Sequence, residues 1–318
     1  MRVRFWGTRG SIPVSLTWRD MRDRLVQALV ACNGRQLDTM EKANAFVEQH
    51  LPFSLRRTYG GHTACVEFEP DSKEYFVCDM GSGARAFGEH VLARNAGQPA
   101  IVNVFMSHVH WDHIMGFPVF GPAYVPGMRI RIHGCNEVIE HAFRLQQSPP
   151  CFPVPFDQLM ARIEFVRLEP GQTTWVSGVA VTPKLQLHGG DSYGYRFECG
   201  GKSLVYTTDS EHKLESDLNS DGFVQLFHLA DLVVFDAMYS LADTVSVKAD
   251  WGHSSNVMGV ELCQMAKAKR IALFHHEPAN DDSDIEQILR ETVRFEELTQ
   301  QGHRLEVLAA YDGLELDL

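Results

Sequence analysis

MSHVHWDHIMGF, residues 106–117, follows the apolar run AIVNVF and places His108, His110, Asp112 and His113 within six positions. A continuous apolar run rich in β-branched residues reads as a buried strand, so the cluster is delivered at a strand's C-terminal end. Four such groups packed without a cation would need many hydrogen-bond partners and would shift one another's protonation. A metal ion satisfies them together. Imidazole and carboxylate suit zinc, manganese or iron, and none of the four is a thiol, the usual mark of a purely structural zinc site. On an extended loop His108 and His110, two residues apart, point the same way and can share one ion. Asp112 and His113 sit where the chain turns and can face a second. Two ions close together can activate water and clamp an oxyanion, but they need further ligands from elsewhere.

The rest of the chain offers candidates, each just past a strand-like run: LQLHGGDS carries His188, VYTTDSE carries Asp209, DWGHSS carries His253, and IALFHHEP carries His275 beside His276. Other strands are expected at Val3–Phe5, Cys65–Phe68, EYFVCD, MRIRIHG, ARIEFVRL, VAVTPKLQL, YGYRFEC, DLVVFDA and RLEVLAA. Helices are expected over about 85–95, 256–268 and the acidic stretch DDSDIEQILRETVRFEELTQQ. Many strands with interspersed helices indicate a layered α/β sandwich. Residues 16–52 form a helical insertion between two strands, with Met21, Leu25, Leu29, Val30, Met40, Ala43 and Val47 on its expected inner faces. Packing against the sheet is the reading preferred for it over covering the site or contacting a second subunit. No fixed-period repeat or low-complexity linker interrupts the chain, so residues 1–318 are read as one domain.

Composition narrows the partners. The chain has 318 residues, 44% hydrophobic and 22% charged, and a formal net charge of −12. That charge opposes generic attraction to long nucleic acid, and a small anionic substrate would need a local positive centre, which bound metal would supply. The seven cysteines show no CxxC pair, which argues for reduced thiols rather than a disulfide scaffold or zinc ribbon. No apolar run reaches membrane-spanning length, and the N-terminus reads as a strand and turn; a cytoplasmic location is expected.

SHVHWDHIMG, followed in order by LQLHGGDS, VYTTD, WGHSS and LFHHEP, resembles the metallo-β-lactamase superfamily. Within it the chain is similar to the ribonuclease Z-like and cyclic-phosphodiesterase branch, whose initial strand and Gly-rich turn are matched by VRFWGTRGSIP. The resemblance implies a four-layer αββα sandwich with a dinuclear site at one edge of the two sheets. By position it implies that His108, His110 and His188 hold one ion, Asp112, His113 and His275 the second, and Asp209 bridges them. His275 is preferred to His276 because it comes first after the strand. His253 matches the histidine that protonates the leaving group in this branch. Asp79, in DMGSG, matches an aspartate that orients a ligand loop. His62, in YGGHT, stands where relatives often carry asparagine and is a candidate for substrate binding.

The expected activity is hydrolysis assisted by two divalent ions, zinc first and manganese or iron otherwise, with Asp112, Asp209 and His253 as catalytic residues. A phosphodiester fits best, and the acidic composition favours a small cyclic nucleotide or related cyclic phosphate. A lactone or thioester hydrolase on the same metals and a non-catalytic ligand sensor are the alternatives. A homodimer is implied by the relatives.

Overall fold

The structure, a computed structural model, describes residues 1–212, 217–239 and 252–318. Two seven-stranded sheets lie face to face. The first contains β1 (Arg2–Gly7), β2 (Cys65–Glu69), β3 (Tyr75–Cys78), β4 (Ile101–Met106), β5 (Arg129–Gly134), β6 (Arg162–Arg167) and the C-terminal β14 (Glu315–Asp317). Its order is β14-β1-β2-β3-β4-β5-β6. The second contains β7 (Thr174–Val176), β8 (Val179–Leu185), β9 (Tyr193–Cys199), β10 (Lys202–Thr207), β11 (Leu232–Asp236), β12 (Arg270–Phe274) and β13 (Glu306–Ala309), in the order β13-β12-β11-β10-β9-β8-β7.

The side-chain period of two explains why β4 is apolar except at Asn103, whose buried amide donates to Glu74 at 2.8 Å. Phe105 points into the space between the sheets, where its ring meets Phe197 edge-on at 5.0 Å, while Val102, Val104 and Met106 point outward to a second core. A strand buried on both faces cannot alternate with polar residues. Rings dominate the inter-sheet layer, as where Phe68 lies 4.4 Å from Phe197. The outer core of the first sheet is closed by α4 (Ala84–Arg94) and α6 (Ile139–Gln146), and that of the second by α7 (Asp217–Phe227) and α8 (Asn256–Met265). The acidic helix α9 (Asp282–Thr299) starts with a capping box formed by Asp281 and Asp284 and packs on β13. The result is the αββα sandwich.

Strands β3 to β6 run parallel, and so do β10 to β13. Their C-terminal ends are where α/β sheets present ligand-binding loops. The elements not expected from the sequence are short or peripheral: β7 and β14 have three residues each, and α6 and α7 flank the sheets.

The insertion forms α1 (Trp18–Cys32), α2 (Met40–His50) and α3 (Phe53–Arg56). The helices are there, but the expected inner face of α1 is wrong. Met21, Leu25, Leu29 and Val30 face outward, with Val30 73% exposed, and Met40 of α2 does the same. Ala43 and Val47 are half-buried, and Phe46 is the buried residue of α2. The physical reason is an anchor on the polar side of α1. Arg24 donates to the Arg57 carbonyl at 2.9 Å and pairs with the buried Asp282, which turns the charged side of the helix to the body and the apolar side to solvent. Among the described residues no helix is long and apolar enough to cross a membrane.

Candidate metal centre

Strand β4 ends at Met106, and the next residues turn onto the sheet edge, where the four-residue helix α5 (Trp111–Ile114) carries Asp112 and His113. Asp79, immediately after β3, organises this turn. Its carboxylate accepts from the Ser107 amide at 2.8 Å, the Ser107 hydroxyl at 2.7 Å, His113 Nδ1 at 2.8 Å and the Tyr206 hydroxyl at 2.7 Å. With Nδ1 of His113 fixed as a donor, its Nε2 is left to face the site. His108 is held likewise, with Nδ1 3.0 Å from the Ser107 hydroxyl.

The second sheet supplies the other half. His188, past β8, has Nδ1 2.8 Å from the Gly252 carbonyl and Nε2 3.1 Å from His110 Nδ1. Gly252 approaches so closely, with φ +81°, that a Cβ there would lie 2.5 Å from the His188 ring. Asp209 follows β10, and its Oδ1 lies 3.2 Å from Nε2 of both His113 and His275. Its Oδ2 lies 3.7 Å from Nε2 of His108 and of His188. His275, the first residue after β12, also faces Asp112 Oδ2 at 3.4 Å. Gly10, in the first turn, lies against its ring, where a Cβ would sit 2.6 Å away. The adjacent Ser11 amide donates to Asp112 at 2.9 Å.

Three groups of potential ligand atoms therefore form, each within 4.8 Å: His108, His110, His188 and Asp209; Asp112, His113 and His275; and Asp209, His253 and His275. Asp209 belongs to two of them. Asp79, Asp209 and His275 all have left-handed backbones, with φ of 59°, 48° and 60°. Such conformations cost about 1–3 kcal/mol each in a non-glycine residue and cluster where the surroundings hold side chains for function.

The electrostatics are those of a converged donor set. Nε2 of His108 and of His113 is buried with no hydrogen-bond partner. Burial, and then the neighbouring His113, push His108 well below the usual imidazole range. Burial works the same way on His113, but the carboxylates of Asp112, Asp209 and Asp79 outweigh it and hold the ring well above that range. Asp112 and Asp209, despite burial, are held below the usual carboxylate range by the facing imidazoles. Unpartnered imidazole nitrogens converging with carboxylates are the donor set for a divalent cation, so these residues fit one.

His253 stands beside the groups, its ring 5.3 Å from His188 and 5.1 Å from His275. Its Nδ1 is 2.8 Å from Asp236 Oδ2. Burial alone would lower its pKa, but Asp236, with Asp209 and Asp112 behind it, raises it to about 9. Asp236, at the end of β11, was not singled out in the sequence, nor were Ser107, Tyr206 and Gln186. Gln186 ties the two loops of the second sheet, donating to the Thr208 carbonyl at 2.5 Å and accepting from the Thr207 hydroxyl at 2.5 Å. His276 is directed away and bonds the Ala310 carbonyl at 2.8 Å. His62 is not in any of the groups; its ring meets the Ser82 hydroxyl at 3.2 Å and its amide donates to Asp312 at 3.0 Å.

Residues 75–276 match the family model described as the β-lactamase superfamily domain. The chain belongs to this superfamily. Within it, the sequence is similar to proteins named ribonuclease Z. Ribonuclease Z of Oceanobacillus iheyensis is 22% identical over 285 residues, covering 74% of this chain and 89% of that protein. Ribonuclease Z of Staphylococcus haemolyticus is 26% identical over 155 residues, which is 46% of each chain, so the match spans about half that relative's length. Solved structures share the fold. The metallo-β-lactamase fold protein YhfI of Bacillus subtilis superposes with TM-score 0.64 at 17% identity, covering 99% of both chains. A diphosphatase of the PhnP family gives 0.60 at 19% identity, covering 100% of this chain and 97% of that one.

Proposed function

We propose that the protein is a two-metal phosphodiesterase acting on a small cyclic nucleotide or related cyclic phosphate. The observation that carries this reading is the placement of Asp209, whose Oδ2 lies 3.7 Å from Nε2 of His108 and of His188 and whose Oδ1 lies 3.2 Å from Nε2 of His113 and of His275. His108, His110 and His188 would hold one divalent cation, Asp112, His113 and His275 the other, and Asp209 both. Zinc is the first candidate, with manganese or iron as alternatives. Such a pair of ions supplies an activated water and offsets negative charge on phosphate oxygens.

The chain's own residues do the rest. Asp79 and Ser107 fix the ring orientations of His113 and His108. With Nδ1 engaged by Asp236, His253 keeps Nε2 for the substrate. From there it donates a proton to the departing alkoxide oxygen, a role worth roughly 10²–10⁴ in rate. Asp236 holds that ring in place and favours its protonated form. We read residues 1–318 as one domain, with residues 16–52 as an elaboration on its edge.

The relatives named ribonuclease Z raise RNA as the other substrate class. The net charge of −12 weighs against a long polyanion and supports the smaller one. The deciding experiment is a screen of zinc- or manganese-loaded protein against 2′,3′- and 3′,5′-cyclic mononucleotides, cyclic dinucleotides, a short RNA and a lactone. Cleavage of a cyclic phosphate supports the reading. Cleavage of RNA alone moves the substrate, and cleavage of the lactone alone overturns phosphodiester chemistry.

A further inference from the structure

We propose that Trp111 is the platform on which the nucleobase of the substrate stacks, which makes it a specificity-determining residue; this rests on the phosphodiesterase reading above. Trp111 sits between His110 and Asp112 at the start of α5 and is 64% exposed, while Asp112, His113 and Ile114 of the same short helix are buried. Among the described residues no aromatic ring or cation lies over its indole, in contrast to Trp18, whose ring has the Arg19 guanidinium 5.4 Å from its centroid. A large aromatic side chain left in water beside a polar centre does nothing for the core.

The backbone that carries it is rigid. The Thr63 hydroxyl donates to the Asp112 carbonyl at 2.7 Å, the Met80 amide to the His113 carbonyl at 2.8 Å and Gln146 of α6 to the Ile114 carbonyl at 2.9 Å, so α5 is tied to the body along its length. On one side of Trp111 in the chain, His110 meets His188; on the other, Asp112 meets His113 and His275. The indole therefore springs from the backbone between the two ligand groups. A phosphate seated at those groups leaves the rest of a nucleotide to extend outward, and the base is one sugar ring from the phosphorus. Base-on-aromatic stacking needs only a π-face, so the platform selects for the presence of a base and tolerates its identity.

Removing the indole opens no cavity, because the side chain is mostly in solvent. Its loss is expected to weaken binding of a base-bearing ligand roughly 5- to 100-fold and to leave a base-free phosphate ester unaffected. The test is calorimetric titration of the zinc-loaded protein with adenosine monophosphate and with ribose 5-phosphate, for the wild type, Trp111→Phe and Trp111→Leu. The expected result is tighter binding of the adenine nucleotide by the wild type and Trp111→Phe, and equal binding of the two ligands by Trp111→Leu at unchanged zinc content. Trp111→Leu keeps apolar bulk in the turn, so a folded, zinc-loaded variant isolates the aromatic face. Equal affinity of the wild type for both ligands, binding of neither, or a parallel loss of both in Trp111→Leu overturns the platform. Failure of the phosphodiesterase reading is separate and appears in the turnover screen, where the base preference in binding would survive a lactone-only result.

Discussion

Replacing Asp79 by asparagine tests whether the centre is tuned from behind its ligands. The buried Asp79 carboxylate takes four donors: three on Oδ2, from the Ser107 hydroxyl, His113 and Tyr206, and the Ser107 amide on Oδ1. In Asp79→Asn the amide oxygen retains the three, and the new NH₂ group opposes the Ser107 amide. One buried donor loses its acceptor, a cost of about 1–3 kcal/mol in stability. His113 keeps its orientation and loses an anionic partner, which makes Nε2 a poorer ligand; changes of this kind lower metal affinity roughly 10- to 100-fold. That range corresponds to about 1.4–2.7 kcal/mol. The assay is zinc competition against a chromophoric chelator, with urea melts of the metal-free protein run beside it. Tyr206→Phe is the control. It removes one hydrogen bond from the same carboxylate without touching His113, and is expected to cost about 1 kcal/mol in stability with zinc affinity intact. An Asp79→Asn protein that binds zinc as tightly as the wild type would refute the reasoning. So would a Tyr206→Phe protein that loses as much affinity as Asp79→Asn.

Asp236→Asn is expected to slow hydrolysis of esters with alkoxide leaving groups by at least about tenfold and to spare p-nitrophenyl phosphodiesters, whose leaving group needs no proton; equal losses on both, by steady-state kinetics, would refute the role of His253. Acid should destabilise the metal-free protein through His133, which burial and then Arg131 lower to about 4. The unfolded chain takes up this proton near 6.5 and the folded chain only near 4, so the contribution is full above 6.5 and is lost as pH falls through that window, about 3 kcal/mol in all. Urea melts between pH 7 and pH 4 read it, and His133→Phe should flatten the slope. Two copies are expected to pair through the outward side of α1, so that sedimentation velocity finds a dimer in the wild type and a monomer in a Leu25→Glu, Leu29→Glu double variant; a monomeric wild type would refute this.

Much of the fold was legible because burial on both faces writes itself into composition: AIVNVF could only be an inner strand, and Phe105 and Val104 now occupy opposite cores. The histidine cluster was legible because histidine and aspartate at such tight spacing are rare. Asp236 was not, because a lone carboxylate after an apolar run resembles any strand-end turn. A signal did exist, since YFVCD, LVYTTD and LVVFD each end a strand in aspartate, and all three aspartates contact a histidine of the cluster. The choice between His275 and His276 needed geometry, because adjacent residues past a strand differ in direction only through the backbone, and a φ of 60° turns His275 inward. The outward face of α1 was misread for a related reason. Periodicity identifies an apolar side, but the Arg24–Asp282 pair decides which side meets the body.

The two halves of the centre come from different sheets, and Asp112 and His275 are 163 residues apart. On the ribosome the HxHxDH turn emerges long before the strand that ends in His275. A nascent chain therefore holds an incomplete donor set until the segment that carries His275 has been made. The donor set is completed when β12 takes its place beside β11, rather than growing in proportion to the length already made.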